Sequence, residues 1–553
     1  MKRHLLLPLA AILSVSSLFA DTRSSKEAVN RNLEIFTSVY KELQTSYVDS
    51  IDADKTMRTA IDALLNTIDP YTEYISEDER DEFMTITTGE FGGIGAYIAQ
   101  LKNGDVYISQ PQDGTPAKEV GLRAGDIIVT IDGDTVLGLG SAKVRERLRG
   151  KAGTMLKVTV NRPYVGADSV LTFDITRRII NVDPVPYWGV VRDSIGYIAL
   201  TTYNEKSYGQ VRDALEKLKA DPRVKTIALD LRGNGGGLLE SAVQIVGLFV
   251  PKGSEVLRTR GKGALEEKVY KTTVKPVDTE IPLVVMIDGN SASSAEITAG
   301  SLQDLDRAVI VGNRSYGKGL VQSTRVLPYR GLLKVTIAKY YIPSGRLIQA
   351  IDYSHRNPDG SVARIPDSLT HVFYTKGGRE VRDGAGITPD IKVDYPDVSR
   401  LVYNVVRDQW AFNYATKFAA EHDSIAPIEN FVITDEIYAD FKNFIDPARF
   451  QYDKVCEVMI ENLEKAAKSE GYMTDSVQTQ INVLKDLLHH NLDRDLDINR
   501  DEISDYLERE IITRFYGDKG AVYQAVKNDI GMDSVQRMLG ERGKYESILH
   551  PKK

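Results

Sequence analysis

The sequence predicts an α/β multidomain fold with helical segments at both ends, and three observations carry that reading. At 553 residues the chain is too long for a single hydrophobic core. Buried-looking strands at 195–200, 226–231 and 282–288 are interleaved with helical patterns, the order expected of a sheet covered by helices. Before and after this core the pattern is helical, and from about Ser399 it turns to long charged segments such as 452–468 and 502–515.

Taken in order, the first element is residues 1–20. Lys2, Arg3 and His4 precede an apolar run from Leu5 to Phe19, broken by Pro8 and three serines, and Ala20 stands before polar Asp21. That is signal-peptide grammar, and the run is shorter than the roughly 20 apolar residues of a membrane helix. It predicts export to a bacterial periplasm. An uncleaved N-terminal membrane anchor is the alternative, because Leu18 is an imperfect residue at the minus-three position. No cysteine follows the run for lipid attachment, and Cys456 is the only one in the chain, so no intramolecular disulfide forms.

Residues 21–83 form an N-terminal helical segment. Leu33, Phe36, Val39, Leu43 and Tyr47 recur at three and four, and Met57, Ile61, Leu64 and Ile68 repeat the pattern before Asp69-Pro70. In residues 84–163, Phe91-Gly92-Gly93-Ile94-Gly95 leads into strands and glycine turns, then a short helix at 141–149 and the alternating strand 156–160. This order resembles a PDZ domain of the bacterial protease type, a small β-sandwich or barrel with short helices. Residues 164–395 are the α/β core, and 396–553 a separate helical region.

With 42% hydrophobic and 27% charged residues the composition is that of a globular protein, and a formal charge of -8 argues against a nucleic-acid partner.

The chemistry is sought where strand 282–288 runs through Gly289-Asn290-Ser291-Ala292-Ser293-Ser294-Ala295-Glu296 into a helix. A serine there sits at the positive end of the helix dipole, with backbone N–H groups able to face a developing oxyanion. Taken alone, these serines read first as helix caps. Tyr316-Gly317-Lys318-Gly319-Leu320-Val321-Gln322 changes the balance, with Lys318 twenty-five residues after Ser293. The conjunction closely resembles the C-terminal processing, or tail-specific, serine peptidases. Stretches 230–237, 338–346 and 386–390 look like further landmarks of that family in family order, and the resemblance spans about residues 30–395.

The resemblance implies a serine endopeptidase with Ser293 as nucleophile, Lys318 as general base, Gln322 orienting the lysine and Asp304 in a supporting role. It puts the oxyanion donors at the backbone N–H of Ser294 and at the Gly236-Gly237 turn. It also implies that Gly92, Gly93 and Gly95 hold a substrate's terminal carboxylate, while Ile94, Val144 and Leu148 take its last side chain; the alternative is that the glycines only make a tight turn and the apolar residues only fill a small core. Two departures are visible: Ser294-Ala295 stands where the family more often has alanine then serine, and Gly233 and Gly235 where it often has asparagine and proline. Substrates are then proteins with accessible C-termini, with no cofactor and no metal. The C-terminal helices are the segment available for self-association or for an adaptor.

A lysine is a base only when neutral, and from a pKa near 10.4 only roughly one in 2500 is neutral at pH 7. Bringing it to about 7 takes about 4.6 kcal/mol of differential destabilisation of the charged form, within reach of burial. Gly317 and Gly319 would let backbone pack closely around it.

Rival readings fall on spacing. A dinucleotide G-x-G-x-x-G counted from Gly233 needs glycine where Leu238 stands. None of the seven histidines accompanies the serine motif, so a Ser-His-Asp triad is less economical. Segment 493–504 places acids at calcium-loop positions, but Ile498 replaces the turn glycine and Ser504 the bidentate glutamate. A silent PDZ scaffold would not need Ser293, Lys318 and Gln322 together, and a small-molecule hydrolase has no obvious use for a PDZ unit.

Overall fold

The computed structural model describes residues 7–166, 169–262, 267–357, 359–541 and 543–551, with side chains from residue 26 onward apart from 81 and 86. The side chains of the expected leader at 1–20 lie outside the described residues. Residues through Ser76 form one compact unit with Ser323–Val335, and the rest of the chain forms the other.

In the first unit, α1 (Leu7–Ser46) and α2 (Ala53–Asn66) are the two expected helices. Asp52 caps α2 by accepting the Lys55 N–H at 3.0 Å. Leu33, Phe36, Val39, Leu43 and Tyr47 are exposed. Strand Glu73–Ile75 pairs antiparallel with residues 332–334, and Lys334 meets Glu73 at 2.7 Å. The share taken by 323–335 has no local signal, because the partner of a distant strand is chosen by tertiary pairing.

The second unit opens with the PDZ-like sheet: β1 (Ala96–Gln100), β2 (Val106–Pro111), β3 (Ile127–Ile131), β4 (Met155–Asn161) and β5 (Val170–Thr176), hydrogen-bonded in that order. It runs past the boundary expected at 163, since β5 pairs with β4 along its whole length. On β4, Leu156, Val158 and Val160 point into the core while Met155 and Lys157 face out, the two-residue period of a half-buried strand. β1 is an edge strand, flanked by helix α3 (Ser141–Leu148).

The central sheet follows the order β6 (Tyr187–Val191), β7 (Ile195–Ala199), β8 (Thr226–Asp230), β9 (Leu283–Ile287), β10 (Val309–Gly312) and β11 (Ile391–Lys392). All neighbours are parallel except β6 and β7. Every residue of β7, β8 and β9 is buried, so both faces must be covered. One face carries α4 (Ser207–Ala220), α5 (Leu239–Val246) and α6 (Ser294–Asp304), through residues such as Val211, Leu215, Ile245 and Leu302.

The other face is covered by the C-terminal region, which contains α7 (Trp410–Glu421), α8 (Arg500–Lys527), α9 (Ile530–Gly540) and α10 (Lys544–Leu549). Val526, Met532, Val535, Met538 and Leu549 pack against Ala228, Val284, Met286 and Val311. The expected C-terminal helical region is present, and its last three helices also complete the peptidase sheet. The same region braces the PDZ-like unit. The Gln409 amide donates to the Tyr107 hydroxyl at 2.7 Å, and the Gln110 amide donates to the Thr513 carbonyl at 3.3 Å. Gly517, where α8 breaks with φ 65°, faces Asp113 so closely that a Cβ would lie 2.5 Å from its carboxylate.

Candidate active site

The loops that leave the carboxyl ends of β8 and β9 meet beside one another, the end of a parallel sheet at which sites are built. The β9 loop places Ser293 at the start of α6 with φ 54° and ψ -115°, a conformation that costs a non-glycine residue on the order of 1–3 kcal/mol. Ser293 is half-buried between buried Ala292 and Ser294. The turn after β8 closes on it. Gly236 has φ 99°, and a Cβ there would lie 2.8 Å from the Cβ of Ser293 and 3.0 Å from the nitrogen of Ser294.

The two loops are fastened together by hydrogen bonds. Gly233 N–H donates to Asp288 Oδ1 at 3.0 Å, and Ala292 N–H to the Asn234 carbonyl at 2.9 Å. Ser294 Oγ donates to the Gly237 carbonyl at 2.9 Å, which gives the serine at that departure position a structural use. The Gly236 N–H is already taken by Asn234 Oδ1 at 2.9 Å. The N–H groups of Ser294 and Gly237 have no acceptor among the described residues.

Lys318 is half-buried at the entrance to strand Leu320–Val326. Its two glycines permit the close packing expected of them: a Cβ on Gly317 would sit 2.3 Å from that of Ala350, and one on Gly319 2.8 Å from the Gln349 nitrogen. The amide of Gln322 donates to the Thr336 hydroxyl at 3.2 Å. Asp304 is fully buried, paired with Arg346 at 2.8 Å, and accepts the Ser344 N–H at 2.9 Å, so it ties the end of α6 to the 338–346 segment.

What brings the serine and lysine loops into one frame is Glu296, a residue to which the sequence reading assigned no role. Its carboxylate accepts the backbone N–H of Ser293 at 2.9 Å, of Lys318 at 2.9 Å and of Gly317 at 2.7 Å, and also the Ser315 hydroxyl. Burial pushes its carboxyl above the usual range, while these four donors pull the other way. The Ser293-x-x-Glu296 spacing of a capping box was the available signal. Behind it, the buried Tyr340 hydroxyl donates to the Ser293 carbonyl at 3.3 Å.

The structure gathers Ile94, Val144 and Leu148 as expected, but as core. They are 3%, 0% and 5% exposed and pack with Val106, Ile108 and Val158, so they do not line an open pocket in this conformation. Gly92, Gly93 and Gly95 surround Ile94. Residues 90–93 pair with Arg178–Asn181, and Gly92 is fitted against the Gly150 carbonyl, which a Cβ would meet at 2.0 Å.

The acidic stretch from Asp493 is helical, Leu492–Ile498 running almost directly into α8, and not a loop. Asp493 and Asp497 hold Lys442 at 2.8 and 2.9 Å, and Asp495 accepts the Tyr452 hydroxyl at 2.6 Å. Chelator is expected to leave the thermal midpoint unchanged; a midpoint lowered by EDTA and restored by calcium would overturn this.

Comparison with known proteins decides the family. Residues 194–362 match the model of peptidase family S41, 92–176 that of the PDZ domain, and 401–539 that of a C-terminal helical domain of probable PDZ-proteases. The chain is 34% identical over 365 residues to the carboxy-terminal-processing protease of Bartonella bacilliformis, covering 65% of this chain and 82% of the relative. The chain belongs to peptidase family S41. A probable CtpA-like serine protease of Staphylococcus aureus is 28% identical over 465 residues, 83% of each chain. Among solved structures, a photosystem II D1 C-terminal processing protease is 26% identical, covering 65% of this chain and 92% of that one with a TM-score of 0.34. This S41 peptidase is a C-terminal processing serine protease with a PDZ domain acting on peptide substrates.

Proposed function

We propose that this peptidase cleaves exported proteins presenting accessible C-terminal tails, through an acyl-enzyme formed on Ser293 with Lys318 as the only base. The observation that carries the reading is the Glu296 carboxylate, which holds the backbone of Ser293 and of Lys318 in one hydrogen-bonded frame. Ser293 Oγ attacks the scissile carbonyl as neutral Lys318 Nζ takes its proton, and the tetrahedral oxyanion is met by the N–H groups of Ser294 and Gly237. Collapse expels the amine, which takes the proton back from Lys318. A water deprotonated by the same nitrogen then hydrolyses the ester and frees Ser293. Gly237 rather than Gly236 is the second donor, because the Gly236 N–H is engaged by Asn234. Gln322 steadies the lysine. Wild type should turn over an unstructured protein and take up a fluorophosphonate label, and Ser293→Ala should do neither; turnover by Ser293→Ala would end this reading.

Tails are recognised on the PDZ edge strand β1, where a peptide can add a strand beside α3 and leave its carboxylate to the 92–95 loop. Because Ile94, Val144 and Leu148 are covered, α3 must move outward to admit an apolar terminus. Calorimetry on full-length Ser293→Ala is expected to show a peptide with a free apolar C-terminus binding at least about tenfold more tightly than its amidated form. Equal affinities would remove carboxylate recognition and leave the peptidase chemistry standing.

The signal-like residues 1–20 support periplasmic export. Among the described residues no helix is long and apolar enough to cross a membrane. The mature chain is expected to start at Asp21, read by N-terminal sequencing; retention of residues 1–20 in a membrane fraction would favour the anchor. Self-association or adaptor binding through the C-terminal helices belongs to the same proposal. The Val455–Ser469 and Asp475–Leu487 helices support it, since they leave Met459, Leu463 and Leu487 exposed.

A further inference from the structure

Arg232 lies five residues before Gly237, at the root of the turn that closes on Ser293, and it is gripped from two parts of the chain. From the sheet, Asp230 takes its guanidinium through both oxygens, at 3.0, 3.0 and 2.6 Å, and is itself held by the Tyr197 hydroxyl at 2.6 Å. From the C-terminal region, Asp529 forms a second ion pair with the same guanidinium, and from the end of the core Tyr395 accepts from it at 3.0 Å. Asp529 divides its carboxylate. Oδ1 caps α9 by accepting the Gly531 N–H at 2.6 Å and the Met532 N–H at 3.2 Å, and Oδ2 faces Arg232. Burial works against the charge on Arg232, yet the two carboxylates outweigh it and hold the guanidinium above its usual value.

Two carboxylates on one half-buried guanidinium exceed what neutralising it requires. Asp230 alone would satisfy its charge, two residues earlier at the end of strand β8. What Asp529 adds is a fixed point outside the sheet. With Asp230 alone, Arg232 would be held by the end of β8 only; with Asp529 it is braced against α9, which packs through Met532 and Val535 on the opposite face of the sheet from α6. From Arg232 the chain continues through Gly233, bonded to Asp288, and Asn234, bonded to Gly236 and to Ala292, to the Gly237 N–H. A turn this rich in glycine has little stiffness of its own.

We infer that Asp529 is a positioning residue for peptide-bond hydrolysis: from the C-terminal helical region it fixes, through Arg232, the turn that carries the second oxyanion donor. The inference rests on the proposed role of the Gly237 N–H. A donor displaced from the developing oxyanion stabilises the transition state less and leaves substrate binding in the PDZ groove untouched, so the effect belongs in kcat.

The test is Asp529→Asn in the full chain. Asparagine caps a helix as well as aspartate does, so α9 is preserved while the charge facing Arg232 is lost. Turnover of a peptide substrate is expected to fall about tenfold or more in kcat, against the 10²–10³ of losing a donor outright, with KM within about twofold. A peptide boronate, whose tetrahedral adduct on Ser293 needs the same donors, should bind more weakly by a similar factor. Asp529→Glu, which retains the charge, should recover most of the loss. Unchanged kcat and unchanged boronate affinity in Asp529→Asn, beside an inactive Ser293→Ala, would overturn this inference alone; a loss of kcat without loss of boronate affinity would overturn it as well. Turnover by Ser293→Ala would instead remove the reading beneath it. Should Asp529→Asn not fold, Tyr395→Phe removes the other contact that braces Arg232 from beyond β8 and is expected to shift kcat and boronate affinity together by a smaller factor, or the inference fails.

Discussion

Lys318→Ala is expected to be as inactive as Ser293→Ala, and the double variant no worse than either. In the proposed mechanism nucleophile and base act as one unit, so each single loss removes the whole of the covalent route and the losses do not add. The expected fall is about 10⁴-fold or more in kcat on an unstructured protein substrate, by analogy with the loss of a serine–base pair elsewhere. The fold should survive, because Ser293 and Lys318 are both half-buried and the contacts uniting their loops are made by their backbone N–H groups, which alanine keeps. Gln322→Ala should be milder, near tenfold, since its proposed role is to orient another group. Near-normal turnover by Lys318→Ala with an unchanged thermal midpoint would sink the dyad. So would loss of activity on replacing any one of the seven histidines.

The parts of this site that were legible in the sequence are those whose requirement is local. A serine at a strand-to-helix turn and a lysine between two glycines are local motifs, neither decisive alone, whose conjunction carries the family resemblance, and the structure shows why the glycines are needed: Ala350 and Gln349 occupy the space a side chain would fill. Continuous apolar runs such as Leu283-Val284-Val285-Met286-Ile287 announced a sheet buried on both faces. What covers the second face could not be read, because α9 and α10 lie some 250 residues away in the sequence and their apolar spacing is that of any amphipathic helix. The same limit hid Asp529, whose sequence neighbours reveal a helix cap but not an arginine 297 positions earlier. The apolar residues of the PDZ unit show the opposite failure. Val144 and Leu148, four apart on α3, were read as a pocket, but that spacing equally marks the buried side of a helix, and here they form core.

Glu296→Gln is expected to lower both stability and activity strongly, although it removes a buried charge and changes the side chain's size very little. The carboxylate presents two oxygens, each accepting twice: Oε1 takes Ser315 and the Gly317 N–H, and Oε2 takes the N–H groups of Ser293 and Lys318. An amide offers one oxygen and one NH₂. With its oxygen toward Gly317, the NH₂ faces the N–H groups of both Ser293 and Lys318; flipped, it faces the Gly317 N–H, and only the Ser315 hydroxyl can turn to accept from it. Relief of the desolvation that raises this carboxyl opposes the loss, but one or two buried N–H groups left without an acceptor cost roughly 1–3 kcal/mol each. A flipped amide, leaving one such group, is the less costly choice and sets the lower end of a destabilisation of about 1–6 kcal/mol. Either orientation loosens a link between the serine loop and the lysine loop, so kcat should fall by about 10²-fold or more while fluorophosphonate labelling of Ser293 slows in step. Glu296→Asp, a methylene shorter, keeps four acceptor sites but cannot reach both loops at once, and is expected to retain more stability than Glu296→Gln with little more activity. The outcome that would overturn this account is a Glu296→Gln enzyme with wild-type kcat and an unchanged denaturation midpoint.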